Sequence, residues 1–483
     1  MQHGCIGGLS PMNAGVLMNG ISVNPDQPVE NRAITFFLTA MIVEPLSVGR
    51  VVGHLELVPR LYLHSLSTSA LAKVTTAMAI SAFCVMGQDT RMLRERASRA
   101  YGEAITKLLE AIRNEEERVK NETLLACVLM VVVESLLEQS TSPTEQWLKH
   151  VRGASELLRQ HGWDKINKDP VLSRLFAVVR GFLLRNPAND PVSDGFFHRE
   201  ISIPRGVVLP AETRLGRLAV NVAYLRDRAF HTLTLSDKSE GIIDSLVAEC
   251  KHMNQLLLDW EASLPENYRY TTIDKDNIHM SALFHESETN HTLSIAKILP
   301  TQLHCYPDPH LQRLWNSYRV TRIFINTILH RASTLPFPQA PSDSILLAPS
   351  SASSLETLVS DILASIPLRI LDSAFSARNS SGKDAAEIAL AYHCLWPLYI
   401  ARGAVTLGLD TRSGIRRVMK RIVYRYEVRN GVALMEAGDA EAGDDSDSKA
   451  LGGGNRPLWC GPWPRDWIEG VWEWTFLYGC GTI

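Results

Sequence analysis

The residues best suited to chemistry in this 483-residue chain do not fall into a site by their spacing. HESETNH (285–291) sets His285 and His291 six apart, whereas a helical zinc pair needs histidines four apart on one face, so the stretch reads as polar surface. SGKD (381–384) lacks the first glycine and the hydroxyl of a phosphate loop, and the glycines at 452–454 follow acids rather than a strand. No G-x-S-x-G elbow occurs. The cysteines at 5, 84, 127, 250, 305, 394, 460 and 480 contain no C-x2-C pair, so no compact zinc or iron–sulfur site is expected. Asp444, Asp445 and Asp447 are the densest acids and could in principle hold magnesium around a diphosphate. They lie in a Gly-rich, low-complexity stretch that cannot fix a rigid ligand shell. No catalytic, cofactor-binding or metal residue is assigned; the expectation is a protein that is not an enzyme and uses no cofactor.

Two patterns remain. Arg412, Arg416 and Lys420, with Arg417, Arg421, Arg425 and Arg429, make i,i+4 rows on a helix whose other face is Ile415, Val418, Met419, Ile422, Val423 and Tyr426. A solvated face of a core-packed helix is expected, ahead of a nucleic-acid or nuclear-import role. The tail DWIEGVWEWTFLY mixes Asp466, Glu469 and Glu473 with Trp467, Trp472, Trp474 and Phe476. Trp467, Val471, Trp474 and Tyr478 form a helical stripe, and docking on the body is favoured over an acid–aromatic activation segment because that much exposed aromatic surface invites aggregation.

The elements that must position these residues are helical. The chain is 45% hydrophobic and 21% charged, with ample material for a core; its length suggests two to four domains or one large multi-lobed one, and its net charge of −3 excludes a global basic field. Cys84 and Cys127 sit in apolar runs and read as buried thiols of a reducing compartment. No basic segment precedes an apolar run at the N-terminus, and the apolar runs 33–43 and 124–133 fall short of the roughly 20 residues of a membrane span. An intracellular soluble protein is expected, with the sequons at Asn121, Asn290 and Asn379 chance matches.

Helical periodicity covers 69–86, 91–113, 123–137, 147–162 with Gly162 at its end, 171–184, 212–234, 241–262, 311–331, 355–366, 383–407 and 410–430. The Pro/Ser-rich piece 335–354 reads as a surface loop. The expected fold is all-α, a multi-helix domain in two packed lobes without a substantial sheet. Its divisions are a flexible tail (1–30), a first helical lobe (31–184), a Pro-rich connection (185–211), a second lobe (212–437), an acidic Gly-rich linker (438–456) and a Trp-rich tail (457–483).

Six segments then occur in a telling order: SALAKVTTAMAISA (69–82), EQWLKHVRGASELLRQHG (145–162), LLLDWEASLPENYRY (256–270), LWNSYRVTRIFIN (314–326), DILASIPLRI (361–370) and LWPLYIARG (395–403). The series resembles the regulatory region of fungal zinc-cluster transcription factors, the fungal-specific transcription factor domain. Trp147, Trp260, Trp315 and Trp396 stand beside aliphatic neighbours and read as core anchors; Arg319 and Arg322, near Asn316, read as buried interhelix clamps.

The resemblance implies an all-helical regulator of transcription, acting in the nucleus on a metabolic or biosynthetic gene set, secondary metabolism included. Its partners would be other transcription factors or coregulators, in a homo- or heterodimer, with no membrane contact and with an effector pocket between lobes. Members of the family bind DNA through six cysteines in two C-x2-C-x6-C halves. Here only Cys5 precedes residue 84, so no zinc or base-contact residue is carried over, and DNA is expected to be met indirectly or through a zinc cluster outside this sequence. The alternatives are a helical scaffold or inhibitor that dimerises with zinc-cluster factors and, further off, an enzyme reusing the helical body.

Overall fold

The segment Leu124–Val133 has no polar face, and a helix that is apolar all round has to be surrounded. In the computed structural model it forms the middle of α6 (Asn121–Leu137), with Leu124 to Val133 buried without exception. The structure describes residues 28–38, 55, 57–84, 91–137, 145–184, 196–198, 209–234, 240–275, 298–307, 309–334, 342–367, 370 and 385–426. Before α6 come α1 (Val29–Phe36), α2 (Leu57–Leu63), α3 (Ala70–Phe83), α4 (Arg91–Arg113) and α5 (Glu115–Arg118); after it come α7 (Glu145–His161), α8 (Trp163–Lys168) and α9 (Pro170–Leu184).

α3 starts where Ser69 Oγ accepts the Ala72 amide, the first-turn donor that a helix cannot satisfy internally. Its small Ala-rich surface lets α1, α4 and α6 approach closely. α4 buries one stripe, Leu93, Ala97, Ala104 and Leu108, and leaves its charges in water. α7 lies against α6, with Val151, Ala154, Leu157 and Leu158 inward, and ends at Gly162, whose φ of 78° only glycine adopts at little cost. The Gly162 amide caps the helix by donating to the Leu158 and Arg159 carbonyls (3.3 and 3.1 Å). These helices share one core, which Phe197 of the 3-10 turn Phe196–His198 also enters.

A second core is built from α10 (Ala211–Thr234), α11 (Glu240–Ala262), α12 (Pro309–Ser333), α13 (Ser342–Ala364), α14 (Ala385–Arg402) and α15 (Leu409–Tyr426). α12 is its axis and packs on α10, α11, α13 and α14, while α15 lies on α14 and α9 touches α10. A two-stranded antiparallel hairpin, β1 (Thr271–Asp274) and β2 (Gln302–Cys305), pairs Thr271 with Cys305 and Asp274 with Gln302 at one end of this core. Gly414 of α15 meets Ile298 so closely that an added Cβ would lie 2.5 Å from Ile298 Cγ2.

The all-α reading holds, and the hairpin is too small to alter it. One expectation is corrected: 335–354 is not a loop throughout, because α13 begins at Ser342 and runs through Pro349. The serines there sit on a helix that Leu355, Leu358 and Ile362 bind to the core, so burial overrides a turn-like composition. α1 also begins at Val29, inside the stretch expected as a tail, and α14 stops at Arg402 rather than 407, where Gly403 donates to the Tyr399 and Ile400 carbonyls. Among the described residues no helix is long and apolar enough to cross a membrane.

Candidate functional site

α12 carries polar residues at 310, 313, 316, 319, 322 and 326, in steps of three and then four. On a helix of 3.6 residues per turn a step of three falls about 60° short of a full turn, so the row spirals around the helix. Each member therefore meets a different neighbour. This explains how a helix buried on every side remains full of charge.

The first turn forms a closed relay. Arg313 Nη2 lies 3.0 Å from His310 Nδ1, and Arg313 Nη1 lies 3.3 Å from His393 Nε2 on α14. A guanidinium has only hydrogens to offer, so both imidazole nitrogens accept. The hydrogen of His310 then sits on Nε2 and is donated to Glu212 Oε1 of α10 at 3.2 Å. Tyr268 Oη donates to the same carboxylate at 3.1 and 3.3 Å. Burial opposes ionisation of Glu212 and is the largest influence on it, yet the bonds from His310, its own backbone and Tyr268 outweigh it and hold the carboxyl below its ordinary value. Burial, reinforced by the Arg313 charge, pushes His393 well below the usual imidazole value, in keeping with an acceptor role.

Two turns on, the same three chemical groups recur in a looser form. Arg319, 1% exposed, donates to Tyr306 Oη (2.7 Å), Asn316 Oδ1 (2.9 Å) and His304 Nδ1 of β2 (3.1 Å). Its carboxylate partner, Asp361 of α13, stands 3.9 Å away and remains 35% exposed. The guanidinium also lies over Tyr270 and Trp315, at 5.3 and 5.5 Å from the ring centroids. Burial, then the Arg319 charge, lowers His304 to about 3, and burial raises Asp361 despite Arg319. Tyr306 is pushed up to about 12 by burial. Further along, Arg322 bonds Asn254 and Tyr318, and Tyr318 Oη donates to Glu261 on α11. Asn316 Nδ2 and Gln312 Nε2 bind the Ser365 hydroxyl and carbonyl at the end of α13.

The tryptophans complete the frame. Trp260 Nε1 donates to Ala211 O (2.7 Å) and Trp315 Nε1 to Tyr268 O (2.8 Å), so each indole pins a turn or helix end while its ring enters the core. Trp260, Trp315 and Trp396 are core anchors, as expected, and Arg319 and Arg322 are interhelix clamps; the Trp147 side chain lies outside the described residues. HESETNH, the acids at 444–447, Arg429 and the Trp-rich tail also lie outside them. The basic row of α15 is placed: Arg416 and Lys420 face water, while Arg412 turns back to the Ala404 and Leu407 carbonyls. The Glu212–His310–Arg313–His393 relay escapes sequence reading because its members span more than 180 residues; its only local signal is the polar step of three within an apolar helix.

A cavity of about 20 Å³ opens beside the first relay, walled by Leu215, Val320, Phe324, Trp396 and Pro397 with Arg313 at one side. That exceeds the roughly 10–15 Å³ a water requires. It lies within the second core, on α10, α12 and α14, rather than between two lobes. Among the described residues no group of three His, Cys, Asp or Glu could hold a metal ion. What the polar spiral can do is lock four helices and a hairpin in one register.

Such a body is an all-helical domain whose inner polar groups are spent on alignment. Residues 53–186 match the model of the fungal specific transcription factor domain. The match covers the first core from just before α2 to just past α9, so the resemblance read from the sequence stands. Comparison with curated proteins and with solved structures gives no match.

Proposed function

We propose that the protein is a nuclear regulator of transcription in a fungus, controlling a metabolic or biosynthetic gene set through protein partners rather than by chemistry of its own. The observation that carries this reading is that the matched segment, 53–186, supplies most of one hydrophobic core, to which only α1 and the Phe196–His198 turn add from outside it. The EQWLKHVRGASELLRQHG stretch shows why such a segment is recognisable: Val151, Ala154, Leu157 and Leu158 form the buried stripe that seats α7 against α6, and Gly162 ends the helix at a φ of 78°. The polar spiral of α12 supports the reading too, since its guanidiniums are taken up by groups of the domain itself.

The test is genetic. Deleting the gene and comparing transcripts is expected to change a coherent set of genes, and an unchanged transcript profile under all tested nutrient conditions would sink the proposal. Tethering the chain to a heterologous DNA reader then gives the sign of regulation.

A further inference from the structure

We propose that the cavity between α10 and α12 is a binding site for one ordered water, held by Asn316, Ser317 and Thr321 in a seam that side chains leave open. The two helices run parallel. Glu212 meets His310 at 3.2 Å and Arg226 lies over Phe324 at 4.3 Å from the ring centroid, and both pairs stand 98 positions apart in sequence. About 14 residues, or ~21 Å of helix, separate these two pins. The same offset brings Ala219 level with Ser317 and Ala223 level with Thr321, in the middle of the span, and all four residues line the cavity. An alanine facing a short hydroxyl does not fill the distance that an acid–imidazole pair and an arginine–phenylalanine stack set at the two ends. Trp396 and Pro397 of α14 close the third side.

Size and chemistry both select water. The cavity measures about 20 Å³, against the roughly 10–15 Å³ that one water occupies. Ser317 Oγ donates to Arg313 O and Thr321 Oγ1 to Ser317 O, each at 2.8 Å. Both hydroxyl hydrogens are thus spent on the helix, and both oxygens keep lone pairs for an outside donor. Residues four apart on a helix stand about 5–6 Å from each other, close to the span of a water that gives one hydrogen to each of two oxygens. Asn316, 4% exposed, donates one Nδ2 hydrogen to Ser365 Oγ and accepts Arg319 on Oδ1. An amide nitrogen carries two hydrogens, and the second is the donor that the water oxygen accepts. Two hydrogens given and one taken make up the set of about three bonds by which buried water is held. A cavity of this size with wholly apolar walls would stay dry and take xenon instead.

The test is crystallography of the full chain, with and without xenon pressure. The unaltered chain is expected to show one water peak within hydrogen-bond distance of Ser317 Oγ and Thr321 Oγ1, and no xenon at that place. Ser317→Ala combined with Thr321→Val removes both acceptors. That variant is expected to lose the water and, by xenon NMR in solution, to bind xenon about tenfold more tightly than the unaltered chain, because xenon then displaces no hydrogen-bonded molecule. An empty site, a xenon peak in the unaltered chain, or a water bonded to neither hydroxyl overturns the proposal, and so do equal xenon affinities. If the double variant does not fold, the water and xenon peaks of the unaltered chain decide by themselves.

Discussion

The two cores of this molecule solve the burial of polar groups in opposite ways. In the first, four buried hydroxyls bond close by in sequence, Ser81 to Ala77 O, Ser155 to Val151 O, Ser173 to Ile166 O and Thr123 to Glu117 O, while that of Thr75 is buried without a hydrogen bond. In the second, the buried polar groups reach across: Glu212 to His310, Arg313 to His393, Gln312 and Asn316 to Ser365, Arg319 to β2 and its neighbour Tyr306. A core of the first kind depends on volume and tolerates reshuffling of apolar side chains. A core of the second kind depends on register, because moving one helix leaves charged groups without partners. The first core is where the family match lies.

That contrast can be broken or sharpened by mutation. The largest effect is expected from Arg319→Ala, which strips Asn316, Tyr306, His304 and Asp361 of a shared donor; urea unfolding should show a loss of roughly 3–5 kcal/mol. Leu129→Ala in the first core should cost about 2–5 kcal/mol through transfer and cavity terms, but Leu129→Met less than about 1.5 kcal/mol. The equally size-conserving Gln312→Met should cost about 1–3 kcal/mol, since the Ser365 carbonyl loses its donor in a buried place. If the two methionine variants prove equal, the contrast between the cores is wrong.

The pH response comes next. His304 is held neutral in the fold, with its value lowered to about 3, while the unfolded chain takes up a proton below about 6.5. Stability should therefore fall as pH drops from about 6.5 toward 3, and His304→Gln should flatten that slope in thermal melts. The smallest effect belongs to Ser81→Ala: its hydroxyl serves its own helix, so a change within about 1 kcal/mol is expected.

Much of this was legible before the structure. Periodicity located α4 residue for residue and most other helices to within a turn, since amphipathic spacing reports burial directly. The anchoring roles of Trp260 and Trp315 and the clamping roles of Arg319 and Arg322 followed from polar groups standing beside aliphatic residues on a helix. The hairpin was not legible, because TTID and QLHC are four residues each and find each other only across the stretch between 275 and 301. The closed relay was hidden for the same reason: Glu212 and His310 lie 98 positions apart, and no local pattern joins them. α13 was shortened by its Ser/Pro composition, a preference that tertiary packing overrode.

The hairpin also bears on how this protein can change over evolutionary time. The Lys275 amide donates to Thr301 O (2.6 Å) and its ammonium to Leu299 O (2.9 Å), so the two ends of the intervening stretch are clasped together at the surface of the frame. Both acceptors are backbone carbonyls, so a change of side chain at 299 or 301 leaves them in place. Only Lys275 is held to its own chemistry, because its ammonium supplies the second bond. Sequence drift on the acceptor side of the clasp is therefore free of this constraint, while drift at Lys275 is not.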